Sequence, residues 1–324
     1  MKAIVVNGTA GLDGLQLCEF PKPTVRPRGL IVEIKTAALN FPDILQPKGL
    51  YQDQPEPPFV LGLEFSGIVR EAGEDCKRLK VGDRVVGMGQ GALGQFSSVR
   101  EQMCFLLPEN LSHDLGAAVP LAGGTAMYGL KYCGRLREGE TLVVLGAAGG
   151  TGNYAVQIGK ALGARVIAVC SSEEKMQSAR EVGADIAINY RQEDLAERLK
   201  ELTDNRGVDV IYDPVGGELF DICSRRLAIG GRLLIVGFAS GTIPDLRMNM
   251  PLIKSYGVLG VNWSLTAWRR PEISNLVMAD LFDLCERGLV RPVIDKVFPL
   301  HHARAALARL ENQQAIGKTL VHVG

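Results

Sequence analysis

Gly146, Gly149 and Gly152 are spaced G-x-x-G-x-x-G, with Gly150 and Thr151 between the last two. Glycines at this spacing let a backbone turn tightly enough to approach a pyrophosphate, whose charge then rests on the amides and positive dipole end of the following helix. The triplet alone would also suit an ordinary packing turn, so its flanks decide. Leu142–Leu145 ahead of it has the length and apolarity of a buried parallel strand. Behind it, Ala155, Val156, Ile158 and Leu162 recur at helical spacing up to a stop at Gly163, and Val166–Val169 is a second β-branched run. Strand, glycine turn, helix and strand together supply the context that a dinucleotide site requires.

The second strand ends in Cys170-Ser171-Ser172, where a site for the unphosphorylated dinucleotide usually carries an acid for the ribose 2′-OH. Glu173 and Glu174 follow, but Ser171-x-x-Glu174 has the form of a capping box, which accounts for those carboxylates. Lys175 comes next. Metal chemistry finds little support: seven scattered cysteines include no C-x-x-C pair, and His113, His301, His302 and His322 read as loop or surface residues, with His301-His302 a helix start.

These residues need a frame. A chain of 324 residues that is 46% hydrophobic suffices for two domains, and 36 basic residues balance 36 acidic ones, which argues against a polyanion as principal partner. No apolar stretch reaches the length of a membrane span and Met1–Gly8 runs straight into a strand pattern, so a cytoplasmic protein with reduced thiols is expected. Up to about Pro120 short strands alternate with Gly and Pro turns: Ala3–Val6, Leu30–Thr36, Phe65–Glu71 and Arg84–Gly87. Leu115–Leu136 turns helical and leads into an alternating series in which Ile186–Ile188, Val208–Tyr212, Leu233–Val236 and Val258–Val261 extend the two strands above. Two helices, Ile273–Glu286 and Ala303–Gln313, and a strand, Lys318–Val323, close the chain and are expected to return to the first domain. The fold class is α/β: a mostly β domain at 1–122 and 262–324, and a doubly wound parallel sheet at 123–261.

Asn40-Phe-Pro-Asp43 with Lys48-Gly-Leu-Tyr51, Gly62-Leu-Glu-Phe-Ser-Gly67, Val81-Gly-Asp-Arg84, Gly123-Gly-Thr125, the glycine turn and Gly317-Lys318 occur in one order over nearly the whole chain. In these segments the chain resembles the medium-chain dehydrogenase/reductase superfamily, and within it the zinc-independent, zeta-crystallin-type quinone oxidoreductases. The resemblance implies a GroES-like catalytic domain interrupted by a Rossmann domain, a homodimer formed through the Rossmann sheet edge at Val258–Val261, and NADPH as cofactor. It places Lys175, Ser171 and Tyr190 around the 2′-phosphate and adds Thr125, Phe238 and Lys318 to the cofactor contacts. Zinc-dependent members hold metal on an early Cys and on a His preceding a Glu; the matching positions here are Ala37–Leu39 and Leu63 before Glu64. The lobe with four cysteines is replaced by the Gly87–Phe96 stretch.

The same resemblance puts Tyr51 and Asn40 at the reacting end. The expected reaction is hydride transfer from NADPH to a quinone or similar conjugated carbonyl compound, without zinc. An enoyl-thioester or alkenal reductase is the alternative, in which Tyr51 would donate to a developing enolate. A cofactor-binding structural or nucleic-acid-binding protein with vestigial activity is a further one. Leu45 and Pro47 stand where close quinone reductases often carry Tyr and Arg. Trp263, Trp268, Arg269 and Arg270 form either an exposed loop, the favoured reading, or a substrate entrance.

Overall fold

A computed structural model describes all residues, Met1–Gly324. The chain divides into two compact units: Met1–Ala122 with Thr266–Met278 and Pro292–Gly324, and Gly123–Leu265 with Ala279–Arg291. The expected boundary at 262 therefore shifts. The second half of the helix Pro271–Glu286 belongs with the Rossmann unit, because its Asp280 takes both Lys131 Nζ at 2.7 Å and Tyr132 Oη at 2.6 Å.

The first unit is mostly β. Its larger sheet runs, in spatial order, Ile294–Pro299, Lys318–His322, Gly29–Ala38, Glu64–Ala72, Arg84–Met88 and Cys104–Leu106, while Phe96–Arg100 also pairs with Gly29–Ala38. The last strand does return to this unit, pairing antiparallel with Gly29–Ala38 through Leu320 opposite Ala38 and Val321 opposite Ala37. A smaller sheet joins Leu15–Glu19, Lys2–Val6 and Phe59–Val60. Alternation along these strands turns Leu30, Val32, Ile34, Phe65, Val69 and Val85 into one apolar core closed by Leu300, Ala303 and Leu307.

The second unit holds a six-stranded sheet, all parallel, in the order Ile186–Asn189, Arg165–Cys170, Thr141–Leu145, Val208–Asp213, Leu227–Ile235 and Gly257–Gly260. The apolar run Thr141–Leu145 is buried throughout because it lies at the centre of the sheet. Its chain successor pairs on one side and Val208–Asp213 on the other, so the glycine turn leaves the sheet where the strand order reverses, the place where such sheets bind ligands.

Other expectations need correcting. Leu115–Leu136 is helical as its spacing indicates, but in pieces: His113–Ala117 is followed by π-helical Val119–Gly123, α-helical Gly124–Met127 and π-helical Tyr128–Cys133. Trp263–Arg269 is a helix rather than a loop, with Trp263 buried against Tyr128 and only Trp268 at the surface, under Arg100 at 4.4 Å. His322 lies at the surface as expected, 2.9 Å from Asp114 Oδ1, while His113 is half-buried at a helix start, 3.0 Å from Ser66 Oγ. All seven cysteines are free, and Cys104, Cys170, Cys223 and Cys285 are buried. No helix is long and apolar enough to cross a membrane.

Candidate active site

In the Rossmann unit the turn is shaped by backbone bonds. Gly146 has φ +60°, in the left-handed region that favours glycine, and its carbonyl accepts from Gly149 N–H at 2.9 Å. The helix Gly150–Ala161 begins with Asn153 N–H bonded to Gly149 O at 2.9 Å, so the first-turn amides lie ahead of the helical ladder and face out of its end. A Cβ on Gly152 would stand 2.2 Å from Gly146 O and 3.0 Å from Ala147 Cα. Gly152 thus serves the close approach of helix and turn. The Thr151 hydroxyl lies 2.6 Å from Oη of Tyr212, a fully buried side chain on the neighbouring strand, which pins the start of the helix to the sheet.

At the end of the second strand, the helix cap is one residue later than the sequence pattern indicates. Ser172 is the N-cap of Glu173–Glu181, its Oγ accepting from Lys175 N–H at 3.3 Å. Ser171 is left for the Lys175 ammonium, whose Nζ donates to Ser171 Oγ at 3.3 Å. Tyr190 follows the third strand and packs half-buried against the Rossmann core, with its N–H on Cys170 O at 3.1 Å. Ser171, Lys175 and Tyr190 therefore share one corner of the sheet. Phe238 sits after the fifth strand, against Gly216, while Thr125 is half-buried within a helical turn capped by Gly123 and is not itself an N-cap.

In the β unit the structure brings Asn40 and Lys318 together, around a carboxylate. Lys318 Nζ donates to Leu39 O at 2.8 Å, Asn40 Oδ1 at 2.6 Å and Glu64 Oε2 at 2.9 Å, which uses all three ammonium protons. Glu64 Oε2 also accepts from Asn40 Nδ2 at 2.9 Å, and Oε1 from Leu121 N–H at 2.6 Å. The Lys318 and Glu64 side chains are 2% and 0% exposed. Both residues expected at cofactor and substrate thus have their side-chain polar atoms engaged inside the unit. Asp43 lies next to this network with Oδ2 on Asn40 N–H at 2.7 Å, while Oδ1 is buried without a partner. Burial pushes its carboxyl up to about 7.

Tyr51 follows on the same loop, after the short helix Pro42–Leu45, the 3₁₀ turn Gln46–Lys48 and left-handed Gly49. Half-buried, its hydroxyl is held above the ordinary tyrosine value by burial, then by the negative charges of Asp53 and Asp43. It therefore stays a proton donor at neutral pH. Zinc does not fit here. A site needs three or four N, S or O donors at about 2.0–2.3 Å, no group of three His, Cys, Asp or Glu residues is close enough, and Glu64 already faces an ammonium.

Two family models match the chain: the alcohol dehydrogenase GroES-like domain over residues 26–158 and the zinc-binding dehydrogenase over residues 150–279. The quinone oxidoreductase of Pseudomonas aeruginosa is 35% identical over 325 residues, covering 99% of each chain. The chain belongs to the quinone oxidoreductase family of medium-chain dehydrogenases/reductases. The solved quinone oxidoreductase of Escherichia coli, complexed with NADPH, superposes with a TM-score of 0.93 at 31% identity over 99% of this chain and 100% of that one. A mycobacterial protein complexed with NADPH gives 0.94 at 30% identity over 99% and 100%. Members of this family are oxidoreductases, and so is this protein.

Two predictions follow from the geometry. Gly152→Val forces the helix off the turn and should weaken dinucleotide binding more than a hundredfold by fluorescence titration; normal binding would remove the turn from the site. Asp43 has its folded pKa raised, so its stabilising contribution is full below the unfolded value of 3.8 and is lost as pH rises through about 7. That span corresponds to roughly 4 kcal/mol as an upper bound. Urea unfolding should find Asp43→Asn more stable than wild type at pH 8 and indistinguishable at pH 4.

Proposed function

We propose that the protein is an NADPH-dependent quinone reductase that works without zinc. The observation that carries this reading is the pairing of a glycine turn at the switch point of the sheet with a cationic corner, Lys175 over Ser171, where an acid would select the unphosphorylated cofactor. When bound, NADPH supplies a hydride from its nicotinamide ring. The protein's part is placement. The turn Gly146–Gly152 receives the pyrophosphate, with Gly149, Gly150 and Thr151 at the helix start; Lys175, Ser171 and Tyr190 hold the 2′-phosphate; and Thr125 and Phe238 line the path toward the nicotinamide. The NADPH complexes of the two solved relatives support NADPH as the cofactor.

A quinone that accepts a hydride becomes a hydroquinone monoanion, which needs only one proton, taken from water, so the acceptor site needs an aromatic slot more than a dedicated acid. Tyr51 supplies a ring to stack and a protonated hydroxyl to orient a carbonyl. Asn40 and Lys318 act from behind: their bonds to Glu64 fix the loop on which Tyr51 stands. The open edge Gly257–Gly260, with Leu252 and Ile253 nearby at 79% and 70% exposure, suits a homodimer through the Rossmann sheet.

The test is oxidation of NADPH and NADH with a panel of quinones, enones and enoyl thioesters, run on wild type and Tyr51→Phe. NADPH with quinones should be the best pair, and Tyr51→Phe should keep most of kcat with them. For enones or enoyl thioesters, losing a donor to the enolate costs about 10²- to 10³-fold in kcat. Activity confined to enoyl compounds, with a Tyr51→Phe loss of that size, would replace the quinone reading by an enoyl reductase.

A further inference from the structure

Lys175 is not alone at the end of the second Rossmann strand. Cys170 pairs with Asn189 at the last step of the sheet register, and Tyr190 N–H then bonds to Cys170 O at 3.1 Å. The chain leaving the third strand therefore runs directly beside the Cys170–Ser172 turn. It is held there by Arg191 N–H, which donates to Asn189 Oδ1 at 3.1 Å. From the other side, Lys175 reaches back from its helix to Ser171. Two cationic side chains thus originate at one corner. The Lys175 ammonium is held below the ordinary lysine value by burial and next by the positive charge of Arg191, so the second cation is close enough to be felt.

Two carboxylates near this corner are engaged by other cations. Glu173 pairs with Arg180 at 2.9 Å, and Glu193 takes Asn189 N–H at 3.0 Å and Arg198 at 3.0 Å. Glu174 is exposed, and its negative charge favours the Lys175 ammonium. Arg191 is exposed and forms no ion pair. Like charges gathered at one corner repel, and a dianion placed between them relieves the repulsion.

We infer that Arg191 is a specificity-determining residue of the cofactor site, closing its guanidinium over the 2′-phosphate opposite Lys175. The inference rests on the NADPH reading above. The division of labour follows from the two side chains: the lysine is a compact point charge fixed by Ser171, and the arginine presents a planar fork that can engage two phosphate oxygens.

The test uses two adenosine fragments, 2′,5′-ADP and 5′-AMP, titrated as competitive inhibitors against wild type, Arg191→Gln and Lys175→Ala, with melting temperatures as a check on folding. Wild type should bind 2′,5′-ADP at least tenfold more tightly than 5′-AMP. Arg191→Gln should lose about tenfold for 2′,5′-ADP and less than twofold for 5′-AMP, the difference shrinking as salt is raised. If Lys175→Ala loses 2′,5′-ADP while Arg191→Gln matches wild type, the role of Arg191 is overturned and the NADPH reading stands. Equal losses for both fragments in Arg191→Gln would overturn it in favour of a shaping role for the loop. Wild type that does not distinguish the fragments would overturn the NADPH reading and the inference together.

Discussion

The buried ion pair between Lys318 and Glu64 is the constraint on which the β unit turns. An ammonium without water is costly unless every proton finds an acceptor, and here each does. The partners come from the last strand, the loop after Gly29–Ala38, the strand Glu64–Ala72 and the helical stretch at Leu121. One cluster therefore locks four chain segments into one arrangement. Removing one member would strand a buried charge, which typically costs about 3–5 kcal/mol. Asn40 lies at the middle, bonded to both charges, and the loop carrying Asp43 and Tyr51 starts from it.

The Rossmann unit solves a different problem: fixing a turn made mostly of glycine. Gly152 brings the helix against Gly146 O, and the Tyr212 hydroxyl holds Thr151. Glycine costs conformational entropy, so a turn with this much freedom needs such tethers to stay preorganised for a phosphate. The cationic corner at Ser171 and Lys175 lies one strand away, on the same end of the sheet.

Features governed by local sequence were legible. The apolar run before Gly146 forms the central strand, and alternation and turn residues mark the β unit. Features governed by fold were not. Lys318 and Glu64 lie 254 residues apart, and no periodicity reports such a pairing. The cap at Ser172 rather than Ser171 was lost because adjacent serines offer the same hydroxyl and only backbone direction separates them. Arg191 sits next to Tyr190 in the chain, but its meeting with Lys175 depends on the pairing of the second and third strands, and an isolated arginine gives no signal of its own. The helical stretch through Leu121 was visible as apolar spacing, but its π-helical turns were not.

The central proposal is that the protein transfers hydride from NADPH without zinc, with the Lys318–Glu64 ammonium–carboxylate network at the heart of its β unit. It is tested most directly by measuring the metal content and the NADPH–quinone turnover of the same preparation before and after exhaustive chelation. The account predicts no stoichiometric zinc and unchanged turnover. Turnover abolished by chelation and restored by added Zn²⁺ would contradict it.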